Sequence, residues 1–92
     1  MSLHLILDCL NRERIRCTYG AVAAVIGGAA RGVGQRLGAK NARNSWIVNK
    51  ATGEPTDYLD SQKHPDLYRT VRVIATEEEL RELLKRCAAD RT

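Results

Sequence analysis

The eight residues from Gly27 to Gly34, Gly-Gly-Ala-Ala-Arg-Gly-Val-Gly, constrain the fold of this chain more than any other segment. Two consecutive glycines end a helix, because glycine readily adopts the left-handed backbone that follows a helix C-terminus. Apolar residues at helical spacing resume directly afterwards, at Val33 and Leu37. The segment therefore predicts two helices joined by a tight turn, which is the layout of a helix-turn-helix unit.

Three helices are predicted in the first half of the chain, over residues 3–12, from Tyr19 to about Ile26, and from Ala29 to about Leu37. Ser2 and Thr18 are the expected N-caps of the first two, and Gly38 is expected to end the third. The residues between the first two helices are predicted to form a charged connector.

The glycines inside the third helix predict a contact surface. Each costs about 1 kcal/mol of helix stability relative to alanine. A helix that contains several glycines has few protruding side chains, so that a partner can approach its backbone closely. The alternative is close packing against a neighbouring helix of the same domain.

Two strand-like runs are predicted in the second half, at residues 46–48 and 70–74, with a turn at residues 49–53. Val71 and Val73 are expected on one face of the second run. Without any Phe, the core must be built from Leu, Ile, Val and Ala, and Trp46 is the only tryptophan available to it.

A final helix is predicted after Thr76, which forms a capping box with Glu79. Its apolar stripe consists of Leu80, Leu83, Leu84 and Cys87. These elements predict a single α+β, mainly α domain over residues 1–92. It would be a winged-helix-like helix-turn-helix domain with a short strand pair and a C-terminal helix. Residues 3–53 would form the helix-turn-helix and wing, and residues 54–92 a divergent extension with the C-terminal helix.

Positive charge is concentrated in one tract. Residues 1–50 hold eight bases and two acids, whereas residues 51–92 hold seven bases and nine acids. An acid-free surface suits a polyanion, because each phosphate that is neutralised releases condensed counterions. The tract therefore predicts a nucleic-acid partner. Its bases, between which no Asp or Glu occurs, are Arg14, Arg16, Arg31, Arg36, Lys40, Arg43 and Lys50.

The three cysteines, Cys9, Cys17 and Cys87, are odd in number and far apart. This spacing argues against a disulfide framework and against a zinc site. The apolar start, residues 3–10, is too short to span a membrane and has no basic n-region or cleavage motif. We therefore expect a cytoplasmic protein in a reducing setting, with no metal, cofactor or membrane partner.

Two motifs carry a resemblance to a known family. Thr18-Tyr19-Gly20, followed by Ala30-Arg31-Gly32-Val33-Gly34, resembles the DNA-binding half of the alkylguanine DNA alkyltransferases, and equally the non-enzymatic alkyltransferase-like proteins. The resemblance covers about residues 3–53. It implies that the third helix enters the minor groove of double-stranded DNA, and that Arg31 is pushed into the base stack in place of an everted nucleotide. Recognition of damaged or distorted DNA in DNA repair would follow.

By this resemblance, Tyr19 would touch the phosphate beside the everted nucleotide; the alternative is a half-buried core ring. Lys40 and Arg43 are expected to clamp phosphates. Trp46 would stack on a displaced base or, alternatively, anchor the core. For Arg31 the alternative is a solvated helix charge. The predicted DNA-binding residues are Thr18, Tyr19, Ala29, Ala30, Arg31, Gly32, Gly34, Gln35, Lys40, Arg43 and Trp46.

The chain departs from the family at the acceptor cysteine. Alkyltransferases have Pro-Cys-His-Arg before the strand, whereas this chain has Arg43-Asn44-Ser45-Trp46, so that Asn44 stands at the acceptor position. Asparagine is not a thiolate nucleophile. Residues 57–70 do not match the families' lesion-binding pocket either. The prediction is therefore a non-catalytic DNA-binding protein.

Two other functions remain open from the sequence. The first is a helix-turn-helix regulator or a protein-interaction module without lesion recognition, with the C-terminal helix available to a protein partner. The second is a thiol enzyme that uses Cys17, because Arg16 and the start of the second helix would lower the pKa of this thiol.

Overall fold

Three consecutive residues, Arg16–Thr18, form the strand β1 at the centre of the fold, in a computed structural model that describes residues 2–89. The remaining elements follow in chain order. The helices are α1 (Leu3–Glu13), α2 (Tyr19–Ile26), α3 (Ala30–Leu37) and α4 (Glu77–Ala89), and the other strands are β2 (Ile47–Val48) and β3 (Val73–Ile74). Single 3₁₀ turns lie at Asn44–Trp46 and Asp60–Gln62. The predicted α+β, mainly helical class is confirmed.

The sheet has the order β2-β1-β3, and β1 pairs in parallel with both neighbours. Cys17 is the register partner of Ile47 on one side and of Ile74 on the other. The prediction of a charged connector before α2 was wrong, because Arg16–Thr18 is the central strand. The expected strand pair is also incomplete, since both predicted strands pair with β1. Parallel pairing requires a crossover connection, and α2 and α3 together form the one from β1 to β2.

The helices begin at the predicted caps. The Ser2 hydroxyl accepts a hydrogen bond from the Leu5 amide at 3.2 Å, and the Thr18 hydroxyl accepts one from the Ala21 amide at 3.1 Å. At α4, the Thr76 hydroxyl accepts from the Glu79 amide at 3.2 Å. Each cap satisfies a backbone donor that the first turn of the helix leaves without a partner.

Trp46 lies at the centre of the core with none of its surface exposed. Its indole Nε1 donates to Asn11 Oδ1 at 3.0 Å, so its polar atom is satisfied. The His64 ring packs against it at a centroid distance of 4.8 Å. The rest of the core is aliphatic, and the predicted stripe of α4 is buried in it.

The second predicted strand is shorter than expected. Only Val73–Ile74 pairs with β1, and the run from Thr70 to Arg72 precedes the strand. Val71 is 91% exposed and lies before the strand, so the prediction that it and Val73 share one face of a strand was wrong.

Cys9 of α1 and Cys87 of α4 form a disulfide, with Cα atoms 6.0 Å apart and a sequence separation of 78 residues. The Cα distance lies within the usual range for disulfides. The prediction that the cysteines do not pair was wrong, because the packing of α1 against α4 brings together residues that are remote in the sequence. The cysteine-based reason for a reducing compartment is therefore lost. Among the described residues no helix is long and apolar enough to cross a membrane.

Reduction of the Cys9–Cys87 disulfide is expected to lower the free energy of unfolding by about 4 kcal/mol, because the bond closes a long loop and restricts the unfolded chain. Urea unfolding with and without a phosphine reductant measures the change. A Cys9→Ser/Cys87→Ser variant is the control, since it should match the reduced protein and not respond to reductant. Equal midpoints for oxidised and reduced wild type would contradict the prediction.

Candidate nucleic-acid interface

Helix α3 lies with most of its surface in solvent. Val33 is its single buried residue, at 1% exposure, and Leu37 packs partly against the core. The two apolar residues therefore hold the helix down, as their spacing predicts. The exposed residues of α3 are Ala30, Arg31, Gly34, Gln35 and Arg36.

Glycines with positive φ angles lie at both ends of α3. Gly27 and Gly28 each have a φ of +92°, and Gly38 has a φ of +67°, a region that side-chain-bearing residues rarely adopt. The N-cap is Ala29, which has no side chain able to accept a hydrogen bond. The start of α3 therefore lacks a side-chain cap, although the Gly32 amide donates to the Ala29 carbonyl at 3.0 Å. The amides of Ala30 and Arg31, which have no intrahelical acceptor, remain available to solvent or to a ligand.

The glycines within α3 are not required by internal packing. A Cβ atom added at Gly32 would meet no atom within 4 Å, and one at Gly34 would meet only Tyr19 Cε1, at 3.9 Å. The alternative that these glycines allow close helix packing was therefore wrong. Because these glycines have no side chains, they leave open space on the outer surface of the domain.

The Tyr19 ring lies beside α3 and is half-buried, as one alternative for it predicted. Its hydroxyl accepts a hydrogen bond from the Thr56 amide at 3.4 Å, which joins α2 to the loop after β2. Two adjoining cavities, of 270 and 200 Å³, share Tyr19, Gly34 and Thr56 and form a groove along this side of α3. Arg31 lines one end of the groove, and Lys40 lines the other.

Lys40 and Tyr58 shape the second end of the groove. Lys40 Nζ donates to the Asp57 carbonyl at 3.0 Å, which connects the segment after α3 to the loop that faces it. Burial and the nearby Tyr19 hydroxyl raise the pKa of Tyr58, so its hydroxyl stays protonated at neutral pH and can donate a hydrogen bond.

The seven bases of the acid-free tract fall into two groups. Arg31, Arg36 and Lys50 have no ion pair within residues 2–89, and Lys40 bonds only to a carbonyl. The other group is tied to protein acceptors. Arg14 Nε lies 3.1 Å from Asp66 Oδ2, and Arg43 Nη2 lies 2.6 Å from Asp8 Oδ1. Carboxylates therefore compensate Arg14 and Arg43, whereas the first group has no carboxylate partner within residues 2–89.

Arg16 has a structural role that the sequence did not reveal. Its guanidinium donates to the Gly53 carbonyl at 2.9 Å and to the Thr70 carbonyl at 3.2 Å, and it lies 5.4 Å from the Tyr68 ring centroid. A Cβ atom at Gly53 would approach Arg16 Nη1 to 3.3 Å, and Gly53 has a φ of +71°. Arg16 therefore fastens the turn after β2 to the segment before β3.

Three predicted contact residues are corrected by their surroundings. Thr18 is 3% exposed and its hydroxyl caps α2, so the side chain does not reach a ligand. Trp46 is fully buried, so the prediction that it stacks on a displaced base was wrong and its alternative, the core anchor, holds. Arg43 is paired with Asp8 and is not a free phosphate clamp.

Asn44 is 7% exposed and holds the C-terminal end of α3. Its amide Nδ2 donates to the Leu37 carbonyl at 3.1 Å and to the Ala39 carbonyl at 2.8 Å. Its backbone amide donates to Asn41 Oδ1 at 2.9 Å. The bond to Leu37 satisfies a carbonyl that the helix end leaves without an intrahelical partner, and the other two bonds hold the segment that follows α3. The side chain at the position matched to the acceptor cysteine therefore faces the protein.

Cys17 is fully buried in β1. Burial, together with the nearby Glu79 charge, raises the pKa of its thiol to about 12. The thiol-enzyme alternative requires a lowered pKa at Cys17, so the prediction of a lowered pKa was wrong. Over the described part of the chain, no three His, Cys, Asp or Glu residues come together in a way that could hold a metal ion.

The folded protein is expected to resist alkylation at Cys17, because a thiol whose pKa is raised to about 12 stays protonated and only the thiolate reacts. Iodoacetamide labelling of the oxidised protein near pH 8, followed by intact mass, should find no adduct over hours. The same treatment in guanidinium chloride, without reductant, should add a single label. A rapid adduct on the folded protein would contradict the burial of this thiol.

No known protein family matches this chain, and neither a curated protein nor a solved structure matches it.

Proposed function

We propose that this protein binds double-stranded DNA without catalysing a reaction, by laying α3 in the minor groove. The observation that carries the proposal is the surface of α3. Gly32 and Gly34 are not needed for packing, and the long side chains beside them on α3, Arg31, Gln35 and Arg36, are exposed and make no ion pair within residues 2–89. A surface kept bare at a cost to helix stability is expected where another molecule approaches.

The dimensions of the groove explain why a bare helix suits it. A helix with ordinary side chains is about 10 to 12 Å across, whereas the minor groove of B-form DNA is about 6 Å wide. Alanine and glycine bring the backbone close to the groove floor and reduce the widening that DNA must undergo. Proteins that bind in this way often insert one side chain between base steps and kink the duplex.

Arg31 is the proposed wedge. Its planar guanidinium can stack on a base and donate hydrogen bonds at the same time. The groove beside it, with Tyr19 and Tyr58 on its walls, offers aromatic surface to a nucleotide that the wedge displaces. A mismatched or damaged pair costs less to unstack than an intact one, so such a site favours distorted DNA.

Lys40, Lys50 and Arg36 are the proposed phosphate contacts. They are exposed, and no carboxylate within residues 2–89 pairs with them. The uncapped amides at the start of α3 add a favourable dipole for an anion.

Affinity for a short mismatched duplex is expected to fall with salt at a log–log slope of about −3 to −4, which corresponds to three or four neutralised phosphates. Fluorescence anisotropy at several potassium chloride concentrations measures the slope. A slope near zero, or no binding at low salt, would refute DNA binding.

Arg31→Ala is the variant that isolates the wedge. It should weaken binding to the mismatched duplex more than binding to the intact duplex, because only the mismatched site accepts the wedge cheaply. Arg86→Ala, which removes an equal charge from the last turn of α4, is the control. Equal losses on both duplexes would remove the wedge while leaving ordinary DNA binding.

Gly32→Ala is expected to raise the free energy of unfolding by about 1 kcal/mol, because the new methyl group meets no atom and alanine favours the helix. The same variant is expected to bind DNA about tenfold more weakly, because its methyl group adds bulk to the surface of α3 that enters the narrow minor groove. Unfolding curves and anisotropy titrations measure the two effects.

Ala88→Gly supplies the converse control for that experiment, since it changes an exposed residue of α4. It should lower stability by up to about 1 kcal/mol and leave DNA affinity unchanged. Unchanged DNA affinity in Gly32→Ala would mean that the surface of α3 around Gly32 does not face the DNA.

The remaining expectations stay predictions. A cytoplasmic location no longer has the cysteines in its favour. A protein partner on α4 would have to use its polar side, since its apolar stripe is buried in the core. DNA binding with protection of the major groove would favour the helix-turn-helix regulator instead.

A further inference from the structure

A second basic cavity lies on the other flank of α3. Its volume is 440 Å³, and it is bounded by α3, by the first turn of α1 and by the loop that follows α3. Arg36 lines it from α3, His4 from α1, and Asn41 and Arg43 from the loop. We call it the Arg36 cavity.

The wall of the Arg36 cavity is fixed by a hydrogen-bonded cluster. Arg43 Nη2 donates to Asp8 Oδ1 at 2.6 Å, to the His4 carbonyl at 3.2 Å and to His4 Nδ1 at 3.0 Å. Because arginine only donates, His4 Nδ1 accepts, and the proton of a neutral His4 lies on Nε2, 3.6 Å from Asp8 Oδ2. The cluster joins α1 to the loop that follows α3.

Arg36 supplies the uncompensated charge of the cavity. Asp8 balances Arg43, since Arg43 Nη2 lies 2.6 Å from Asp8 Oδ1. Arg36 is exposed and has neither an ion pair nor a side-chain hydrogen bond within residues 2–89. The cavity therefore presents one guanidinium without a carboxylate partner in the described part of the chain, beside the polar side chains of His4 and Asn41 and the apolar side chains of Leu3, Leu7 and Leu37. A single guanidinium suits a singly charged anion such as a phosphodiester.

Arg31 and Arg36 lie on different sides of α3. They are five residues apart, which corresponds to about 140° around the helix axis and about 7.5 Å along it. Arg31 lines the groove with Tyr19 and Thr56, whereas Arg36 lines the cavity against α1. On the outer face of α3 the residues between them are Gln35 and Gly32, about 40° and about 100° around the axis from Arg31.

We propose that the Arg36 cavity receives a backbone phosphate of the DNA strand opposite to the one whose nucleotide Arg31 displaces. This rests on the proposed function. A helix that lies in the minor groove has one phosphodiester strand along each flank. The Tyr19 and Lys40 side faces one strand, and the Arg36 side then faces the other. The domain then contacts both strands, and Gly32 and Gln35 of α3 face the minor groove between them.

Single methylphosphonate substitutions, which remove the charge of one phosphate, test the proposal on each strand of a mismatched duplex. For the wild-type protein we expect sensitive positions on both strands. Arg36→Ala should bind the unmodified duplex about fivefold to tenfold more weakly and lose about one unit of salt slope. It should become insensitive to substitution on the strand opposite the displaced nucleotide only.

Two matched variants complete the design. Lys40→Ala should lose sensitivity on the strand of the displaced nucleotide and keep it on the other. Arg86→Ala should change neither pattern, although it removes the same charge. Thermal unfolding of Arg36→Ala should match wild type, because this side chain makes no contact that folding depends on.

The outcomes separate this inference from the proposed function. If wild type binds no duplex at low salt, both are overturned. If wild type binds with the expected salt slope but Arg36→Ala retains wild-type sensitivity on both strands, the Arg36 cavity is not a phosphate site and DNA binding stands. If sensitive positions occur on one strand only, the two-strand grip is overturned as well.

Discussion

The parallel pairing of β1 on both sides is the constraint on which the rest of the fold depends. Two parallel neighbours require two crossover connections, and each must leave the sheet edge and return in the same direction. The first connection is the α2–α3 pair, and the second is the segment from the turn after β2 to β3. Because α3 occupies the outer part of the first crossover, it remains exposed while α2 is packed against the core.

Positive charge in this domain serves two purposes that the sequence alone does not separate. Arg14, Arg16 and Arg43 hold loops and helices together through Asp66, two backbone carbonyls and Asp8. Asp66 and Asp8 compensate the charges of Arg14 and Arg43, and neutral carbonyls hold Arg16 in place. The cations that remain are on α3, on the segment after it and on the turn after β2, so the outward field of the tract comes from about half of its bases.

Local signals allowed the helices to be predicted closely. Ser2, Thr18 and Thr76 fix helix starts by bonds to residues three positions away, and paired glycines fix the break before α3. Contacts between distant residues could not be predicted in this way. The central strand has only three residues, and its pairing depends on segments 30 and 57 residues further along. The Cys9–Cys87 bond and the bonds from Arg16 to its carbonyl acceptors also join residues that are far apart in the sequence. The burial of Trp46 depends on such contacts as well.

The orientation of Asn44 has a consequence for how this fold could change over time. A cysteine at that position would lack the amide that now serves two carbonyls at the end of α3, and its sulfur would lie inside the domain. One codon change would therefore loosen the helix that the proposed interface needs before any reactive group emerged. An evolutionary route towards a thiol at this place must first supply another anchor for the chain between Leu37 and Ala39.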